Sequence, residues 1–271
     1  MLDRRSWLRG CGHLIVAVPG LALTGPAYAQ VRRRAREEPM RLGVDVALAD
    51  CGLARALAGA FGRHTGLPVL PVPAPTSAML AALEHGEIDA GLGLAPEAER
   101  RLEQQGLVHD RRAVARTSFV LVGPAARGAL PAAVQAAPDA AQALARIAAA
   151  QLPFLGRSDG SGAHWLEQSL WRAAAVAPAA PWLRALGPGV DPLEAARQQS
   201  ACVLVERPRW LAARRSGLVA LAERDARLSV PVHVMRPFRA DHPSASLFVR
   251  WLTAGAGQAV AARHPGFVAA A

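Results

Sequence analysis

Lysine is absent from this 271-residue chain, so all 31 lysine-or-arginine positions are arginine. Any anion the protein meets is therefore met by planar guanidinium forks, not by ammonium point charges. No basic stripe interleaved with aromatics is present, and that excludes a nucleic-acid interface. The formal charge of +10 does not change this. Arg4, Arg5 and Arg9 against Asp3 hold +2 of it, and Arg32, Arg33, Arg34 and Arg36 against Glu37 and Glu38 another +2. The rest is scattered. No apolar run reaches the ~20 residues of a membrane-spanning helix. Cysteine is scarce: Cys11 lies in the N-terminal segment, and Cys51 and Cys202 are too far apart in sequence to establish a disulfide. They read as small buried hydrophobes. No cysteine–histidine pair has zinc-site spacing, so a soft-ligand site built from Cys51, Cys202, Met79 and a histidine has no motif behind it. His64, His85 and His109 fall near helix ends or loops, as solvated imidazoles do. No cofactor and no metal is expected. Internal repeats and heptads are missing as well.

The chain does contain 52% hydrophobic residues and a mean hydropathy slightly above zero, which argue for a folded globular protein. Its length suits one large domain or two lobes. The N-terminus reads as an export signal. Arg4-Arg5-Ser6-Trp7-Leu8-Arg9 resembles the twin-arginine pattern, with Trp7 where that pattern usually has phenylalanine. A mildly apolar core over residues 14–24 follows, and Ala27-Tyr28-Ala29 is a small-x-small cleavage site. Residues 1–29 are thus expected to be a signal peptide and 30–39 a basic linker, with the mature protein in the periplasm.

From Arg41 the pattern alternates. Residues 41–48 read as a strand, followed by a helix from Leu53 ending near Gly62. A proline-edged strand at 67–72 precedes a helix after Thr76-Ser77 that stops at Gly86. A strand at 88–94 leads to a helix opened by Pro96, Glu97 and Glu99. This β-loop-α order implies a parallel sheet with binding at the carboxyl ends of its strands. Further strands are expected at 119–124, 201–205 and 230–235. A last helix through Leu247, Trp251 and Leu252 has Ser244 as its cap candidate.

The most informative stretch is Phe154-Leu155-Gly156-Arg157-Ser158-Asp159-Gly160-Ser161-Gly162-Ala163-His164-Trp165. It reads as a strand end, a Gly/Ser/Asp turn and a helix start. The helix N-terminus, two hydroxyls and an arginine fork are the parts of an anion cradle. The simpler reading is that Asp159 or Ser161 caps the helix and Arg157 is a solvated turn residue. Ser161, His164 and Asp159 do not make a catalytic triad, because serine three residues before histidine in one turn lacks the geometry. No G-x-S-x-G elbow is present either, so an enzyme is not expected.

With Ala95-Pro96-Glu97-Ala98-Glu99, Ser118–Pro124, Arg157–His164 and Trp251-Leu252-Thr253, this order of features resembles the tungstate-type substrate-binding proteins of bacterial ABC transporters. The resemblance covers most of residues 41–263. It implies an α/β, two-lobed type II periplasmic-binding-protein fold with a ligand cleft between the lobes. Lobe one would be 40–123 and 230–271, and lobe two 124–229. It also implies a small-molecule or oxyanion ligand, a membrane permease as partner, and a monomer. Arg157, Ser158 and Ser161 inherit roles at the oxyanion site, and Thr76 matches a family threonine on the opposite lobe. The alternative is a sensing or partner-docking protein that keeps the fold without transport.

One departure stands out. Val44-Asp45-Val46-Ala47-Leu48 occupies the place of the family's run of threonines and a serine. Hydroxyl donors are gone and a carboxylate has appeared. Two unit charges 4 Å apart interact by roughly 4 kcal/mol at an effective dielectric of about 20, and a dianion would feel about twice that. Asp45 would therefore repel a bound dianion, pair with Arg157, or point away from the cleft. With either of the first two, a zwitterionic, cationic or neutral solute fits better than a doubly charged oxyanion. The export reading is checked by N-terminal sequencing of the periplasmic form. The expected first residue is Gln30, and whole, uncleaved protein in the cytoplasm would contradict it.

Overall fold

The computed structural model describes residues 38–126, 128–187, 189–213 and 217–270; the signal peptide, its cleavage site and the linker before Glu38 lie outside them. The first unit alternates strand and helix: β1 (Met40–Asp45), α1 (Val46–Asp50), α2 (Leu53–Thr65), β2 (Val69–Ala74), α3 (Thr76–His85), β3 (Ala90–Gly93) and α4 (Pro96–Gln104). A long strand, β4 (Val108–Pro124), follows. The second unit holds α5 (Ala132–Gln135), α6 (Ala140–Ala149), β5 (Phe154–Gly156), α7 (Gly162–Ala173), β6 (Leu183–Ala185), α8 (Pro192–Gln199), β7 (Cys202–Glu206), α9 (Arg207–Ala212) and β8 (Leu218–Ala222). The chain returns through β9 (Ser229–Pro237), α10 (Pro243–Thr253), α11 (Ala256–Ala262) and β10 (Phe267–Ala269).

The strands join in the order β2-β1-β3-β9-β4-β7-β5-β6, with β8 and β10 also paired to β4. β4 is the shared element. From Val108 to Ser118 it pairs with β9, and from Phe119 onward with β7 and β8. The result is two strand sets on one backbone, each with helices packed on it, in the two-lobed type II periplasmic-binding-protein arrangement. Within each set the strands beside the junction are parallel: β1 with β2 and β3, and β5 with β6 and β7. β4 and β9 run antiparallel to their neighbours, so the wholly parallel sheet expected from the β-loop-α order is instead mixed.

The local chemistry explains most elements. β7 is buried at all five positions, which is why Cys202-Val203-Leu204-Val205 reads as an unbroken apolar run. In α6 the Asp139 side chain accepts from Gln142 N at 2.8 Å, and Ala140, Ala143, Leu144 and Ile147 fall on its buried face. Phe61, Phe248 and Trp251 fill one end of the main core with edge-on rings 5.1 and 5.6 Å apart. Phe154 and Trp171 meet the same way at another part of that core, at 5.1 Å.

Three local expectations need correction. α2 runs past Gly62 and ends at Gly66, whose φ of 72° is the left-handed cap; a mid-helix glycine costs about 1 kcal/mol but does not break a packed helix. β4 begins eleven residues before Phe119, because register shifts near His109 and Ala113 and a φ of 52° at Asp110 erase the period-two signal. The cap of α10 is His242, whose ring accepts from Ser244 N at 3.1 Å, and the Ser244 hydroxyl is buried without a hydrogen-bond partner.

Candidate functional site

The carboxyl ends of β1, β2 and β3 face those of β5 and β7 across the junction, and the residues just beyond these ends form the site. Asp45, the last residue of β1, is fully buried there. Its Oδ1 accepts from Ala47 N at 2.9 Å, which makes it the cap of α1. Its Oδ2 accepts from the Thr76 hydroxyl, at the start of α3, in a short hydrogen bond. The same Oδ2 accepts from Gly162 N at 3.0 Å, the first residue of α7 on the opposite side. One carboxylate thus collects two backbone donors and a hydroxyl, from both halves of the molecule. Burial pushes its pKa above the ordinary value, while the three hydrogen bonds pull it back down.

The Gly/Ser/Asp turn is shaped by this approach. Ser77 N donates to Gly160 O at 3.0 Å, a second link between the halves. Gly160 has a φ of 69°, and a Cβ there would run into the Ser77 hydroxyl. A Cβ on Gly162 would lie 2.6 Å from Leu94 Cβ. Both glycines are therefore required by the contact itself. Ser161 caps α7: its hydroxyl accepts from His164 N at 3.4 Å and donates to Asp159 Oδ1 at 2.7 Å. His164 Nδ1 accepts from Gly160 N at 3.0 Å, so serine, histidine and aspartate form turn bonds and not a proton-transfer chain.

Arg157 is nearly buried, with 10% side-chain exposure, but Asp45 is not its partner. Its Nη2 donates to Asp159 Oδ2 at 2.8 Å and to Ser161 Oγ at 3.2 Å, and Nη1 lies 4.0 Å from Glu206 Oε1. Partial burial opposes the charge of Asp159, yet Ser161 and Arg157 hold its carboxyl below the usual range. Behind the turn, buried Glu167 accepts from Arg157 N at 3.0 Å and from Trp171 Nε1 at 3.3 Å, and so fixes the end of β5.

Beside this junction opens a cleft of about 790 Å³ lined from both halves. Asp50, Asp191, Glu194 and Glu206 face it, with Arg197 and Arg209. Arg209 ties them together: Nη2 to Asp50 Oδ2 at 2.9 Å, Nη1 to Asp191 Oδ2 at 2.8 Å, and Nε 3.5 Å from Glu206 Oε2. Exposed pairs such as Arg209–Asp50 contribute about 0–1 kcal/mol, so this clasp is weak beside the buried one at Asp45.

Of the residues singled out from the sequence, the structure brings Asp45, Thr76, Ser161 and Arg157 to one junction and leaves Ser158 exposed to solvent. Asp45 neither pairs with Arg157 nor points away. Cys51 is half-buried against the cleft and Cys202 is buried, with its thiol pushed up to about 12; both are free. Among the described residues no group of three or more His, Cys, Asp or Glu is placed to hold a metal. The helix N-terminus of the turn was expected to donate backbone N–H groups, but not to Asp45, and Ala47 N was missed. Sequence reasoning also missed Arg209, and the buried Glu99–His233 pair (2.7 Å) with Arg111 behind the first sheet.

Two mixed strand sets whose parallel strands meet at their carboxyl ends define a class, and the comparisons bear on it directly. The profile of the PBP superfamily domain matches residues 47–254, so the chain belongs to that superfamily. Within it the similarity is to tungstate-type substrate-binding proteins of ABC transporters. The chain is 27% identical over 257 residues to the tungstate-binding protein TupA of Peptoclostridium acidaminophilum, covering 90% of each. It is 34% identical over 176 residues to a protein of Haloferax volcanii named for anion binding in an ABC transporter; that match covers 65% of this chain and spans about half, 51%, of the relative. The structure of the tungstate ABC transporter from Geobacter sulfurreducens aligns with a TM-score of 0.71 at 26% identity, covering 83% of this chain and 97% of that one. TupA from Desulfovibrio alaskensis aligns with a TM-score of 0.72 at 25% identity, covering 86% and 100%. No helix among the described residues is long and apolar enough to cross a membrane.

Glu167 gives the site a pH signature. Burial pushes its pKa from 4.5 to about 7. A carboxyl raised on folding contributes stability that is complete below the unfolded value and lost as pH rises through the folded one. The loss amounts to about 3 kcal/mol at most. Thermal unfolding from pH 5 to 8.5 is expected to fall more steeply for the wild type than for Glu167→Gln. Equal slopes would contradict the assignment.

Proposed function

We propose that this protein is the periplasmic solute-binding component of an ABC transporter, capturing a small solute between its lobes and presenting it to a membrane permease. The observation that carries this reading is the cleft of about 790 Å³ beside the Asp45 junction, lined by charged side chains from both halves. Relatives named for tungstate or anion binding support capture for transport over a sensing or docking role, and over an enzyme. The lobes divide where β4 changes partners after Ser118 and where β9 re-enters the first strand set. The mature protein begins after Ala29 and acts as a monomer. Thr76, Ser161 and Arg157 are the side chains of the junction, with Asp45 in its centre.

The solute enters the cleft beside the junction. Its lining presents both signs of charge with carboxylates in the majority, which suits a zwitterionic or cationic solute better than a bare dianion. Thermal unfolding in tungstate, molybdate, sulfate, phosphate, organic acids and amino acids tests capture. A solute at 100 times its Kd adds about 2.7 kcal/mol, a rise of roughly 5–10 °C for a chain of this size. At least one compound is expected to give such a shift. A panel with no shift contradicts capture of these solute classes.

A further inference from the structure

We propose that the Asp45 carboxylate is a built-in ligand: it occupies the seat an oxyanion would take, holds the two lobes together, and thereby excludes free oxyanions. The geometry is that of a bound anion in all but covalent attachment. Its two oxygens accept from three donors, Ala47 N and Thr76 Oγ1 of the first lobe and Gly162 N of the second. Gly162 opens a 12-residue helix, so the charge also lies at the positive end of α7. Carboxylate and oxyanion have the same needs here: a negative oxygen, backbone N–H groups and a hydroxyl. The residue is 0% exposed, and no second anion fits between Oδ2 and donors already at hydrogen-bond distance.

Three further features agree. Arg157, the cation of the turn, is engaged by Asp159 and Ser161 and faces Glu206, so it is not waiting for a charge from outside. Gly160 and Gly162 allow the turn to close onto Ser77 and Leu94 with no gap for a bridging solute. The open volume lies instead beside the junction, among Asp50, Asp191, Glu194 and Glu206. Asp45 is therefore the specificity-determining residue of this chain. The inference needs the two-lobed fold but not the transport role, so the two can fail separately.

The test is gain of function. Calorimetry with tungstate and with sulfate is run on wild type, Asp45→Ala, Asp45→Thr and the double variant Asp45→Ala/Thr76→Val. Wild type is expected to bind neither anion tightly. Asp45→Ala and Asp45→Thr are expected to bind tungstate about 100-fold or more tightly than wild type, and the double variant to lose most of that gain. Acetate, a carboxylate supplied from solution, is expected to raise the melting temperature of Asp45→Ala and not of wild type. Where Asp45→Ala is too unstable to purify, Asp45→Thr carries the comparison. Submicromolar tungstate binding by wild type overturns the proposal, as does a folded Asp45→Thr that gains no anion affinity. A wild type that takes up an amino acid but no oxyanion supports it together with the transport reading. Wild type that binds nothing, alongside an Asp45→Thr that binds tungstate, supports it while contradicting capture of the tested solutes.

Discussion

A carboxylate shielded from water must be met by donors on every side, and at Asp45 that requirement dictates how the two halves of the molecule meet. Burying an unpaired charge costs several kcal/mol even after relaxation. The first half supplies two of the donors, Ala47 N and Thr76, and only the second half supplies Gly162 N. Electrostatics and hydrogen bonding thus fix the junction at Asp45, beside apolar contacts such as Trp165 against the Met79 and Ala95 cluster. Surface pairs such as Arg209 with Asp50 follow from this approach and do not create it.

The same constraint explains the composition of the turn. The peptide N–H of residue 162 reaches Asp45 only if the backbone comes within contact of Leu94, which leaves no space for a side chain. Residue 160 must turn with positive φ against Ser77. Ser161 lies between them as helix cap, and Asp159 and Arg157 brace each other outside. Glu167 then holds the Arg157 peptide from behind. Apart from exposed Ser158, these residues of the turn thus serve the hydrogen bonds that cross the junction, Gly162 N to Asp45 and Ser77 N to Gly160 O. The simple reading of Ser161 as a helix cap holds, and capping is how the turn is built.

Much of this was legible in the sequence, and the rest was hidden for physical reasons. Helix starts and stops were readable where side-chain chemistry marks them, at Gly86 and at Pro96 with its early acids. β4 was half hidden, since bulges and arginines in its first part break the alternation that announces a strand. The antiparallel return of β9 could not be read from local pattern, because pairing direction depends on where the chain has already been. Asp45 was visible as a carboxylate at the end of a strand, in the place where the resemblance leads one to expect hydroxyls. Its direction was not: a strand pattern does not say whether the last side chain faces sheet, solvent or the other lobe. The pairing of Arg157 with Asp159, two residues away, was hidden because Asp159 was read as a cap candidate.

The claim that Asp45 acts as the protein's own anion is tested most directly by small-angle X-ray scattering on the mature protein and its Asp45→Ala variant, with and without added sulfate. Wild type is predicted to give one compact profile in both conditions. Asp45→Ala is predicted to be more extended without sulfate and to contract when sulfate is added. A wild type that contracts on adding sulfate, or an Asp45→Ala profile that matches wild type in both conditions, would contradict the account.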